Sequence, residues 1–192
     1  MFAIDTKKAD DMRKAGFGSV NVISRDGIAR GTSAAVTLND ASENLVLIKD
    51  QTAANYSFSK GTSSNDYPTS LMGSIALLRQ TYLDANWYKN QKEEYNISLE
   101  EFNKQQNLPQ LFEADGWQNI LRAVKIAKEF GKEYIVKSNG DEYQRIDAVK
   151  ATGASLIIPI NFPKAFDVED PAEARSVSLG QMKAWELAPT NP

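Results

Sequence analysis

Strand-like segments start near residues 110, 133 and 155, and helical patterns fill the gaps between them. A repeat of roughly 22 residues accommodates one strand, one helix and two short connections, so consecutive strands must run parallel. Residues 110–114 read as the first strand of this run. Asp115 with Gln118 can cap a helix on which Trp117, Ile120, Leu121, Val124 and Ala127 share a face, and Gly131 closes it. Residues 133–137 form the next expected strand. Asp141 with Gln144 can cap a second helix with Tyr143, Ile146 and Val149 facing inward and Gly153 at its end. Residues 155–160 make a third, apolar strand. Right-handed crossovers would place both helices on one side of the sheet, as on the outside of a barrel. The fold class is α/β.

The flanking segments differ in texture. Residues 1–69 form a small strand-rich segment. A short helix over 6–15 ends at Gly16, strands are expected over 19–23, 33–38 and 45–48, and Arg25-Asp26-Gly27 marks a turn. Residues 52–69 are dominated by Ser, Thr, Asn, Tyr and Gly and read as a long polar loop. Such a loop is either a binding or lid segment or a solvated connection. Residues 70–192 are helix-rich and contain the βαβαβ core. A helix over 70–95 would bury Leu71, Ile75, Leu78, Tyr82 and Leu83, and Ser98 with Glu101 suits a capping box before Pro109. Asp170-Pro171 with Glu173, and Ser178 with Gln181, open two further helices.

Composition removes several chemistries. The 192 residues include no histidine and no cysteine. A tight transition-metal site is hard to build without imidazole or thiolate, and the commonest general base near neutral pH is missing. Disulfides are excluded. Net charge is −3 with both signs spread along the chain, so nothing points to nucleic acid. Lys7-Lys8 and the pair Lys125 and Lys128 read as solvated faces. No run approaches the ~18 apolar residues of a membrane span. The opening Met1-Phe2-Ala3-Ile4-Asp5 lacks the order of a signal peptide.

Four motifs carry a family resemblance. Gly27-Ile28-Ala29-Arg30-Gly31-Thr32-Ser33 is similar to the glycine-rich strand-turn-strand of imidazolonepropionase-like members of the amidohydrolase superfamily. Gln110-Leu111-Phe112-Glu113-Ala114, followed by Ile120-Leu121-Arg122-Ala123 and Ile126-Ala127-Lys128-Glu129-Phe130-Gly131, resembles a strand-helix unit in the later half of that family's barrel. Ser138-Asn139-Gly140-Asp141-Glu142-Tyr143 resembles the turn after the following strand. Tyr67-Pro68-Thr69-Ser70-Leu71-Met72-Gly73 resembles a branch of large bacterial proteins with amidohydrolase-like domains, which implies a secreted or periplasmic setting. The resemblance implies one amidohydrolase-like domain over 1–192, a partial (β/α) TIM-type barrel with parallel strands. A complete barrel typically needs ~250 residues. The family's metal ligands are a His-x-His pair on the first barrel strand, later histidines on the fifth and sixth strands, and an aspartate on the eighth. No His-x-His is present. Glu113 sits about where the first later histidine would fall, and Ser138 or Asn139 where the second would. No metal position is carried over, and the implied cofactor state is none in this chain. Zinc or another divalent metal would enter only if a full-length protein supplied ligands.

Ligands of parallel α/β sheets bind at the carboxyl ends of strands. Those ends offer Glu113 and Asp115, then Lys137, Ser138 and Asn139, then Asn161 and Phe162, a set able to hydrogen-bond a polar small molecule. Glu113 and Lys137 could form an acid/base couple or a plain salt bridge. Asp115 and Asp141 are better explained as helix caps. The acidic run Asp167, Glu169, Asp170 and Glu173 lacks the glycine and oxygen spacing of a calcium loop. Ser57, Ser59, Ser63 and Ser64 have no histidine with which to build a familiar triad, which leaves only a Ser-Lys arrangement through Lys60. Trp87, Trp117 and Trp185 fall in expected helices and suit core or interface packing.

Three functional readings follow. The first is a domain that is non-catalytic by itself, with a structural or ligand-binding role in a larger parent protein or a homodimer. The second is a part of an active metal-dependent hydrolase of amide or cyclic-amide bonds, with its metal ligands outside this chain. The third is a binder of carbohydrate or peptide-derived ligands through the 52–69 loop. No catalytic residue is assigned.

Overall fold

Residues 3–90, 94–159 and 169–187 are described by a computed structural model. The chain divides into two units, Met1–Glu113 and Ala114–Pro192.

In the first unit, α1 (Thr6–Lys14) starts at Asp5, whose carboxylate accepts the Lys8 N–H at 3.1 Å, and ends before Gly16 at φ 93°. Strands β1 (Ser19–Val22) and β3 (Ala34–Thr37) pair antiparallel in the register Val20 to Val36. Between them in sequence lies β2 (Ala29–Thr32), which joins other strands. The expected strand over 45–48 is formed in its second half, as β4 (Leu47–Lys49) against β3, while its first half belongs to a helical turn, α2 (Glu43–Val46). Val46 is buried from within that turn, so its apolar character does not reflect a strand.

The main departure is β5 (Ala54–Ser57), placed where a polar loop is expected. All four residues are buried. It pairs antiparallel with β2 and parallel with β6 (Gln110–Glu113), in the register Ala54 to Gln110 through Ser57 to Glu113. Its polar groups are satisfied internally. Asn55 Nδ2 donates to the Gly31 and Ala53 carbonyls, and the Tyr56 hydroxyl donates to Gln110 Oε1 at 2.8 Å. A strand covered on both faces needs no apolar alternation, and hydrogen-bonded polar side chains disguised this one as loop.

The parallel crossover from β5 to β6 runs through α3 (Leu71–Asn90) and α4 (Ile97–Gln105). The buried stripe of α3 is Ser74, Leu78, Tyr82, Ala85 and Tyr88. Leu83, expected inside, is exposed. Polar residues such as Arg79, Gln80, Asp84, Asn86 and Lys89 are scattered among the apolar ones around this helix, so its pattern marks no single face. Small Ser74 and Ala85 lie on the packed side: Ser74 Oγ donates to the Phe58 carbonyl, and Asn103 Nδ2 donates to the Ala85 carbonyl. Trp87 is exposed rather than core. Asn96, not Ser98, caps α4 by accepting the Leu99 N–H. Tyr56, Tyr82 and Phe102 form an aromatic cluster with ring centroids 5.2–6.3 Å apart.

In the second unit, α5 (Trp117–Glu129) buries Ile120, Ala123, Val124, Ile126 and Ala127. Its N-cap is Gly116 at φ 92° with no side-chain cap, so the expected Asp115–Gln118 box is not formed. Strand β7 (Tyr134–Lys137) pairs parallel with β8 (Ser155–Ile157), Ile135 opposite Ser155. The expected helix between them winds first as a 3-10 turn over Glu142–Arg145 and then as α6 (Ile146–Lys150). Tighter 3-10 winding rotates the inward face. Glu142 and Val149 are therefore buried, and Ile146 is exposed. Both later helices start as expected. Asp170 caps α7 (Pro171–Ser176) by accepting the Ala172 N–H. Ser178 and Gln181 exchange hydrogen bonds in a capping box before α8 (Leu179–Leu187).

The whole is mixed α/β with parallel strand pairs joined through helices, compatible with a partial β/α fold.

Candidate functional site

In the first unit the strand ends converge on Glu113. The register sets Ser57 beside Glu113 at the carboxyl ends of β5 and β6. Arg30 on β2 reaches the same place. Alternation along β2 puts Arg30 on the face of buried Ile28, and its side chain is only 3 % exposed. Its Nη1 lies 2.5 Å from Glu113 Oε2, its Nε donates to the Gly27 carbonyl at 3.2 Å, and its Nη2 donates to the Ser59 carbonyl at 3.1 Å. Arg25, 61 % exposed, bonds the other Glu113 oxygen at 3.3 Å. The Glu113 side chain is 20 % exposed.

A buried guanidinium is costly unless its donors are used. Here three directions of the Arg30 fork are matched by one carboxylate and two carbonyls. Ser57 Oγ, also buried, accepts the Ser59 N–H at 3.1 Å, which fixes the turn leaving β5. The arrangement holds a carboxylate between two arginines.

The remaining sequence candidates belong to the second unit. Lys137 ends β7 and is exposed. Ser138 is buried, with its N–H donating to the Ile157 carbonyl at 3.0 Å and its hydroxyl directed at the same oxygen. Asn139 and Asp115 are exposed, and the Asp115 carbonyl accepts Asn119 Nδ2. Asn161, Phe162 and Asp167 lie outside the described residues. Asp141 does not cap its own turn. Its carboxyl pKa is raised by burial and by the neighbouring Glu142 and Asp115 charges, against the lowering effect of the Trp117 N–H. Glu142 is 5 % exposed, and one oxygen of each of these two carboxylates has no hydrogen-bond partner. Among the described residues, no group of three or more acidic side chains is arranged to hold a metal ion. No helix among them is long and apolar enough to cross a membrane.

Sequence reasoning did not mark Arg25, Arg30 or Glu142 as site residues, and Ser57 stood out only as a possible nucleophile. Arg30 was detectable, because it stands two residues from a core isoleucine in a strand, where a charge demands a partner.

No protein-family model matches the sequence, and no curated protein matches it. A solved structure, an amidohydrolase from Thermotoga maritima, superposes with a TM-score of 0.63 at 14% sequence identity. The match covers 89% of this chain and 48% of that one. The fold is amidohydrolase-like. The chain thus spans about half the length of the amidohydrolase it resembles.

Proposed function

We propose that this chain is an amidohydrolase-like domain, a partial β/α barrel, that lacks the histidine metal ligands and does no catalysis by itself. Its role is structural or ligand-binding within a larger protein or a dimer. The Arg30–Glu113–Arg25 cluster carries this reading. Glu113 falls about where the resemblance places a metal-binding histidine, and two guanidinium groups supply the positive charge there. The resemblance also puts a His-x-His pair on the first barrel strand. No histidine occurs anywhere in this sequence to supply that pair.

Zinc titration of the purified chain, followed by desalting and elemental analysis, tests the reading. Substoichiometric zinc and no hydrolysis of simple amides are expected. Stoichiometric zinc with turnover by this polypeptide alone would overturn it. An open partial barrel needs its sheet edges covered, so sedimentation at micromolar concentration should show a dimer unless parent sequence provides the cover.

A second reading rests on length. The match leaves about half of the Thermotoga maritima chain without a counterpart here. A parent protein carrying the histidines elsewhere would make this chain a part of an active hydrolase. Bound zinc in that longer protein, lost on mutating histidines outside residues 1–192, decides for it.

A further inference from the structure

The 60–68 loop walls a cavity of about 500 Å³ in the first unit, against α3 and the start of α4. Neither Arg30 nor Glu113 lines it. Its apolar lining is Ile28, Leu77, Leu78 and Pro68. The loop contributes Lys60, Ser63 and Asn65, and the helices contribute Thr81 and Ser98. We propose that this cavity binds a small organic carboxylate with an apolar body and a hydrogen-bond donor at its far end.

Charge comes first. Lys60 brings the one formal charge among the described lining residues, and no carboxylate there offsets it. Its ammonium donates to the Asn65 carbonyl at 2.7 Å, which fixes its position and uses one of three donors. Ser63 Oγ accepts the Asn65 N–H, so its own proton is available to an anion. Elsewhere in the lining, the Thr81 hydroxyl gives its proton to the Leu77 carbonyl at 2.8 Å and offers lone pairs to a ligand donor. The lining therefore combines donors, acceptor lone pairs and apolar side chains, the usual make-up of an orienting small-molecule site.

The loop is also built to hold its shape. Gly61 sits at φ +59°, and a Cβ there would lie 1.8 Å from the Arg25 carbonyl oxygen. Thr62 N–H and Gly27 N–H clasp the Arg25 and Lys60 carbonyls at 2.9 and 3.0 Å. A merely solvated connection needs no such bracing.

The test uses the full chain and 4-hydroxyphenylacetate, with its neutral amide, phenylacetate and inorganic phosphate as comparators. The expected result is saturable binding by calorimetry, with amide NMR shifts concentrated over residues 60–67 and 77–81. The neutral amide should bind at least about tenfold more weakly, a loss of about 1.4 kcal/mol. Lys60→Gln keeps a donor for the Asn65 carbonyl and should weaken the acid by a similar factor. Thr81→Val should bring 4-hydroxyphenylacetate down to the affinity of phenylacetate. Absent saturation, equal binding of acid and amide, equal binding of phosphate, or shifts centred elsewhere would each overturn the proposal. If Lys60→Gln fails to fold, the acid-against-amide comparison on the native chain still decides. Failure here leaves the non-catalytic reading standing, because zinc content and hydrolysis test that separately.

Discussion

Arg30 and Glu113, 83 residues apart in sequence, meet at 2.5 Å across the ends of β2 and β6. The antiparallel pair β2–β5 and the parallel pair β5–β6 together bring them into reach. The contact ties the glycine-rich N-terminal motif to the first strand of the βα run.

Breaking this pair from one side should be expensive. Arg30→Ala takes the buried guanidinium away from the partly buried Glu113, and a loss of about 3–5 kcal/mol is expected in urea denaturation. Replacing both partners, Arg30→Met with Glu113→Leu, should recover most of that loss. Arg25→Ala should cost less than about 1 kcal/mol, because its charge is largely in solvent. A double substitution as damaging as Arg30→Ala alone would refute the pairing argument.

Tyr56 anchors β5 to its surroundings. Its hydroxyl donates to Gln110 Oε1 and accepts from Gln106 Nε2 at 2.9 Å. Tyr56→Phe strands these partners and should cost about 1–3 kcal/mol by the same urea assay. Burial pushes the phenol pKa upward, above the ordinary 10.0. The folded chain then holds this proton more tightly than the unfolded one, so stability falls as pH rises above 10.0. Tyr56→Phe should make the stability curve flatter in that alkaline range.

Two glycines of positive φ should respond differently to alanine. At Gly131 nothing lies within 4 Å of an added Cβ, so only the backbone conformation is penalised, by about 1 kcal/mol. At Gly61 the Cβ would strike the Arg25 carbonyl, and the loop must move. Thermal unfolding should separate them, Gly61→Ala being much the worse and also altering NMR shifts over residues 25–27.

Asp141 should depress stability at neutral pH. Its folded pKa lies above the unfolded 3.8 because of burial and adjacent acids. Protonation therefore favours the folded state, and stability falls as pH rises from 3.8 to the raised folded value, then stays lower. Asp141→Asn retains an acceptor for the Trp117 N–H and removes the charge. It should raise the melting temperature at pH 7 and leave it unchanged below the unfolded pKa. A gain of equal size at both would mean that charge is not the cause.

The repeat of strand and helix, the capping of α7 and α8, and the position of β6 and β7 were readable from residue order. These depend on local periodicity and on side chains three or four positions apart. β5 was not readable, because Asn55, Tyr56 and Ser57 look solvated until Gly31 and Gln110 are brought beside them. The inward face of α3 was equally hidden: polar and apolar residues are mixed around its axis and do not mark which stripe its neighbours will cover. The second crossover failed for another reason, since a 3-10 turn shifts the pattern by a fraction of a turn and buries Glu142 instead of Ile146.

The same division governs the site. Absence of histidine and cysteine is a property of composition, and it closes off imidazole and thiolate chemistry whatever the fold. Glu113 could be placed at a strand end from the repeat alone. Its partners could not, because Arg25 and Arg30 come from a segment more than eighty positions earlier. Local pattern specifies elements, whereas pairing between distant strands decides which charges neutralise one another, and that choice depends on burial energies no short window contains.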